Sequence, residues 1–157
     1  YYIATVILPY RKVIDKILQN SLTSEEKDYY LKVLNRVANR ESTPQFFHGL
    51  PTEQEQYFLG REEVSNQDFL GLVLDYDEKQ KKVKLEQRNY FKVGDVVEFF
   101  GPNMETFSYT IHKIENDLGE SISVANHPNM IVYLPMDHFL EKFDMMRVKL
   151  FDKESDL

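Results

Sequence analysis

Between Gln87 and Gly101 the chain reads QRNYFKVGDVVEFFG, a stretch that leaves few folds open. Val96-Val97-Glu98-Phe99-Phe100 is β-branched and aromatic, the composition of a strand, and Gly101-Pro102-Asn103 stops it. Just ahead, Val93-Gly94-Asp95 is a turn in which Gly94 supplies a backbone position free to take positive φ. A turn this sharp between strands this apolar predicts a small closed barrel.

The flanking sequence keeps the same period of two. Leu70, Leu72 and Leu74 alternate along a first strand with Phe69 and Val73 opposite, and Asp75 to Lys81 is a polar hairpin turn. Val83, Leu85 and Gln87 then alternate with Lys82, Lys84, Glu86 and Arg88, one face buried and the other wet, as in an antiparallel pair. Val96 to Phe100 is a third strand, and Phe107, Tyr109 and Ile111 alternate with Ser108, Thr110 and His112 on a fourth. Ile122 and Val124 mark a fifth, and Met130 to Leu134 a sixth. Six short, mostly antiparallel strands separated by turn signals predict a β-barrel over residues 67–136. Residues 137–157 read as a return and a tail: a short helix or extended segment docked by Phe139, Leu140, Phe143, Met145 and Met146, then a polar, frayed end from Asp152.

Residues 1–40 change the period to that of a helix. Ile3, Val6, Ile7, Tyr10, Ile14, Ile17 and Leu18 form one stripe, which Pro9 either starts or kinks. Thr23-Ser24-Glu25-Glu26 is a capping box that opens a second helix, with Tyr30, Leu31, Leu34, Val37 and Ala38 as its buried face. Arg36 and Arg40 suit the negative end of its dipole. Two helices alone bury little, so they need a partner surface, either the barrel or a domain outside this sequence. Residues 41–66 have no sustained period and are broken by Pro44, Gly49, Pro51 and Gly60. Yet Phe46, Phe47, Tyr57 and Phe58 make them a segment that wraps the barrel rather than a free linker. The fold class is α+β: two N-terminal helices, then the six-stranded barrel.

Composition removes several kinds of chemistry. With no cysteine, the chain has no disulfide, thiolate metal site or Cys nucleophile of its own, and it suits a reducing cytoplasm. No apolar run approaches the roughly 20 residues of a membrane span, and no signal peptide is visible. A net charge of −7 is the reverse of a dedicated nucleic-acid binder's. The first residue is Tyr1, not Met, which suggests a piece of something longer.

The candidate catalytic groups are sparse. His48, His112, His127 and His138 share no metal-ligand spacing, and no Gly-x-Ser-x-Gly elbow supports a serine hydrolase. Asp75 with Asp77, or Glu62 with Glu63, would form a carboxylate dyad only in turns or polar stretches, where carboxylates are solvated. No catalytic, cofactor-binding or metal-ligating residue is assigned, and no cofactor is expected. The one local signal is basic. Lys79, Lys81, Lys82, Lys84, Arg88 and Lys92 cluster in one hairpin and the loop after it, with Tyr90 and Phe91 among them. Cations beside an aromatic ring contact phosphates and stack a base. The alternative is a solvated strand face offset by Asp75, Asp77, Glu78 and Glu86. The loop from Asn89 to Gly94 has a second use, leaning on a neighbouring catalytic domain.

Two stretches also carry a family likeness. FLGLVLDYDEKQKKVKLEQRNYFKVGDVVEFFGPN and NHPNMIVYLPMD resemble the C-terminal region of the collagenase-like bacterial peptidases, family U number thirty-two. YYIATVILPYRKVID resembles the helix that joins that family's catalytic barrel to this region. The barrel is also similar to the second domain of translation elongation factors, through its strand–turn–Val-Gly-Asp–strand pattern. The first resemblance implies a cytoplasmic bacterial protein lacking its N-terminal catalytic domain and that domain's cysteine-bearing signature. Members are peptidases, and others hydroxylate RNA bases, including the wobble uridine of transfer RNA. It implies a non-catalytic accessory module that positions tRNA, a protein substrate or a partner for chemistry done by that domain. The rivals are a self-sufficient hydrolase and an RNA-binding module built on the basic hairpin. A homo-oligomer through the first helix is a further expectation.

Overall fold

The computed structural model describes residues 1–37, 45–50 and 68–149. Two compact units result: residues 2–66, and Tyr1 together with residues 67–157.

The first unit is a helical hairpin. Helix α1 runs Tyr2–Leu18 straight through Pro9, so it begins well before that residue. Asn20 ends it, with φ of 54°: its amide donates to the Ile17 carbonyl at 3.0 Å, and the Ser21 amide to the Lys16 carbonyl at 2.9 Å. These two bonds satisfy carbonyls that the helix end would leave open. Helix α2, Ser24–Val37, starts with the expected capping box. The Glu26 amide donates to Thr23 Oγ1, and the Thr23 amide to Glu26 Oε2, both at 3.1 Å. Glu26 also takes Lys16 Nζ at 2.7 Å, and this bond, with the Thr23 amide, holds its carboxyl below the usual range. The helices pack on each other, but among the described side chains the ones they bury are Thr5, Pro9 and Val33. Leu31, expected inside, is 47% exposed, and every member of the α1 stripe but the half-buried Val6 is exposed. Val33 falls between the predicted positions, so the buried line on α2 is rotated from the one the apolar spacing suggests. The predicted roles of Ala38 and Arg40, and most of the wrapping segment, lie outside the described residues. Phe46 and Phe47 are exposed, within a short 3-10 helix, Gln45–His48.

The second unit corrects the six-strand count. Among the described residues there are ten strands: β1 (Phe69–Asp77), β2 (Lys82–Gln87), β3 (Phe91–Lys92), β4 (Val96–Phe100), β5 (Phe107–Thr110), β6 (Ile114–Asn116), β7 (Ser121–Ile122), β8 (Val124–Ala125), β9 (Ile131–Pro135) and β10 (Met145–Val148). Eight form one strongly curled antiparallel sheet in the order β5-β4-β10-β1-β2-β9-β6-β7, and β3 pairs with β8 as a separate ribbon. β5 and β7 are edges that do not pair, so the sheet is a half-barrel rather than a closed one. Val73, Val83, Leu85, Phe91, Phe99 and Ile111 are fully buried at its centre.

The predicted alternation on β1 fails because the strand bulges. Register shifts between Phe69 and Gly71 and again between Val73 and Asp75, so Leu70 and Val73 point inward while Leu72 and Leu74 are only half-buried. On β2, Val83, Leu85 and Gln87 are buried as read. Gly94 has the positive φ expected, 95°, with its turn closed by the Lys92 amide on Asp95 Oδ2 at 2.9 Å. The segment read as a helix or return contributes β10, seated between β4 and β1. There Arg147 lies directly opposite Glu98, its Nε 3.0 Å from Oε2, with both side chains buried and the guanidinium 4.5 Å over the Phe100 ring.

Candidate functional site

The hairpin joining β1 and β2 is fixed by its own side chains. Asp77 Oδ1 accepts the amides of Lys79 and Gln80, both at 2.9 Å, and Lys81 takes a positive φ of 51°. An Asp oxygen standing in for a backbone acceptor is the usual way a turn of this kind closes. The Asp75–Asp77 dyad is thereby accounted for: Asp75 Oδ1 takes the Tyr76 amide at 2.9 Å. The Glu62–Glu63 alternative lies outside the described residues.

The basic cluster divides into paired and open members. Lys82 Nζ is 2.5 Å from Glu115 Oε2, and Lys113 takes the other oxygen at 2.6 Å. These bonds, Lys113 first, hold the Glu115 carboxyl below its ordinary range. Arg88 bonds Glu86 at 2.8 Å and faces Asn129. Lys84 lies over Tyr133 with its ammonium 6.0 Å from the ring centre. Lys79, Lys81 and Lys92 are exposed. The two rings differ as well. Phe91 is fully buried in the core and cannot stack a ligand, whereas Tyr90 is 56% exposed.

Position splits the cluster further. Lys79 and Lys81 sit at one end of β2, and Arg88, Tyr90 and Lys92 follow its other end, a strand of six residues away. That is roughly 20 Å at strand rise. The polar residues around Tyr90 hold the loop itself. Gln87 Nε2 donates to the Asn89 carbonyl at 2.7 Å, Asn89 Nδ2 to the Phe69 carbonyl at 2.7 Å, and the Arg88 amide to the Leu70 carbonyl at 2.8 Å.

The segment after β9 meets both this end of β2 and the end of β1. The Met136 amide donates to the Lys81 carbonyl at 2.8 Å, and Phe139 meets the Tyr76 ring edge-on at 5.6 Å. Phe139 is 61% exposed. Phe143 follows, also exposed, with φ of 77° and Lys142 Nζ 5.1 Å from its ring centre. That φ is unusual for a bulky residue, and it is held by the Phe143 amide's bond to the Val73 carbonyl at 2.9 Å. Sequence spacing carries no signal for this juxtaposition, because about sixty residues separate Tyr76 from the loop that it meets.

The three histidines with described side chains all lie at the surface. His112, His127 and His138 are all exposed, with His138 4.5 Å from the Phe107 ring centre and His112 6.2 Å from that of Tyr109. The side chain of His48 is outside the described set. Among the described residues, no group of three His, Asp or Glu side chains is placed to share a metal ion.

Residues 65–147, more than half of the chain, match the Peptidase family U32 C-terminal domain. The chain belongs to peptidase family U32. Its curated relatives include tRNA hydroxylation protein P1 of Bacillus subtilis (strain 168), 42% identical over 147 residues. That match takes in 94% of this U32 chain but only 35% of the relative's length. A crystal structure of the C-terminal domain of a Geobacillus thermoleovorans protein described as a U32 peptidase superposes with a TM-score of 0.52 at 40% identity. It covers 54% of this chain and 96% of that one. Its selenomethionine variant gives 0.50 at 42% identity, over 51% and 98%. This likeness extends over about half of the U32 chain and nearly the whole of each crystallised domain.

Proposed function

We propose that this chain is the non-catalytic accessory module of a larger U32 enzyme and that it positions tRNA for chemistry carried out by another domain. The observation that carries the reading is the relative named for tRNA hydroxylation, which matches nearly all of this chain across only a third of its own length. Within the module, the contact surface is the hairpin end of β2. Lys79 and Lys81 supply exposed cations on a turn that Asp77 has already ordered, and Phe139 supplies an exposed ring on the adjoining loop. Tyr90 and Lys92 form a second, separate contact. Lys82 and Arg88 contribute less, because each is already engaged with a carboxylate. Local positive charge is needed here, since the chain as a whole carries −7.

The test is tRNA binding followed by fluorescence anisotropy across a salt series. Lys79→Glu with Lys81→Glu is expected to weaken binding on the order of tenfold and to flatten the salt slope by roughly two, the signature of two lost phosphate contacts. Lys82→Gln is expected to change it far less. An unchanged salt slope in the double variant would remove the hairpin from the reading.

A further inference from the structure

Helix α1 is built the wrong way round for a helix that is complete in this chain. Ile3, Ile7, Tyr10, Ile14 and Ile17 follow one another at steps of four, three, four and three residues, a single seam along one face. Every one of them is at least half exposed, and Leu18 beside them is 76% exposed. The residues that the helix does bury are Thr5 and Pro9. Water-exposed apolar side chains on this scale mark an interaction surface.

The seam itself narrows the occupant. It is two heptads long on a helix of 17 residues, which spans about 25 Å. A self-standing coiled coil needs roughly three to four heptads. The flanking positions that would fix partner and register in a pair of identical helices hold Ala4, Val6, Arg11 and Val13, a single charge among them. A second copy therefore finds too short a seam and nothing to set its register. Val6 and Val13, both half-buried, instead widen the seam at its margin into the broader stripe with which a helix docks on a folded domain. A domain in the same polypeptide also meets that face at high effective concentration, so a modest area suffices.

We infer that the Ile3–Ile17 face of α1 is the seat of the catalytic domain in the remaining length of the protein, which covers it with an apolar surface. This rests on the accessory-module reading above, and the experiment separates the two. The chain has no native cysteine, so Ile7→Cys or Ile14→Cys introduces a single reporter, with Lys27→Cys on exposed α2 surface as the reference. Labelling by maleimide is followed peptide by peptide, in this chain alone and in the product of the complete reading frame. The expected result is fast labelling of all three sites in the isolated chain. In the complete product, labelling at Ile7→Cys and Ile14→Cys is expected to slow on the order of tenfold or more, with Lys27→Cys unchanged. Protection in the isolated chain that rises with its concentration would assign the face to a second copy and overturn the inference. Protection there at every concentration would assign it to the chain's own remaining segment, with the same consequence. Equal, fast labelling in the complete product would refute the docking face while leaving the accessory reading intact. A reading frame that encodes no further domain would defeat that reading itself, and the inference with it.

Discussion

Gly101 and Asp144 show how far a single residue is constrained by a distant one. Asp144 is buried, and its Oδ2 accepts the Glu141 amide at 2.8 Å, which fixes the loop into β10. Its other oxygen lies where a Cβ on residue 101 would have to be. Gly101 was legible as a strand stop, but not as the floor beneath a carboxylate 43 residues later. Gly101→Ala is expected to destabilise the sheet unit by about 2–3 kcal/mol, the cost of overpacking a site that cannot relax into water. Urea denaturation measures it, and a loss within error of zero would mean that the Asp144 side chain turns aside freely.

At the scale of elements, β10 decides the sheet. Its Met145-Met146-Arg147-Val148 has no clean alternation, because Met146 and Arg147 are both buried. A strand covered on both faces loses the period-two signal, so the segment read as a helix or return. The two-residue strands β3, β7 and β8 and the three-residue β6 were too short for any period to show. By contrast β2, with one wet face, was readable residue by residue, as was the capping box of α2. The candidate site divided in the same way. Its lysines were visible, but Lys82's partner Glu115 is 33 residues away and Phe139 is further still. The Glu98–Arg147 pair across β4 and β10 supplies the element-scale prediction. Glu98→Ala removes the carboxylate facing a buried guanidinium and is expected to cost about 3–5 kcal/mol, whereas Glu98→Leu with Arg147→Met is expected to lie near wild type. Equal losses in the two proteins by chemical denaturation would show that the charges themselves stabilise the pairing.

For the sheet unit as a whole, stability follows the sum of its titrating groups. The Glu115 carboxyl lies below its ordinary 4.5, so the stability it contributes is present above that pH and is lost as pH falls through the lowered value. Asp144 works in the opposite sense. Burial raises its carboxyl above the ordinary 3.8, against the Glu141 amide, so the native state is favoured below that pH and loses ground as pH rises through the raised value. Asp144→Asn keeps an acceptor for the Glu141 amide and removes the ionisation. It is expected to gain on wild type at pH 7 and to lose that advantage as pH approaches 3.8. An advantage that stays constant from neutral pH down to that value would contradict the assignment. These groups act on the second unit, while the exposed face of α1 belongs to the first.

The sheet order has a consequence for biosynthesis. Among the described strands, β4 and β5 join the ladder of the remaining five only through β10, the last strand along the described chain. Until the ribosome has delivered Met145 to Val148, β1 and β4 lack the strand that pairs with both of them. Chaperone capture should therefore weigh most heavily on the interval before these residues emerge, since the sheet can be completed only after they have been made.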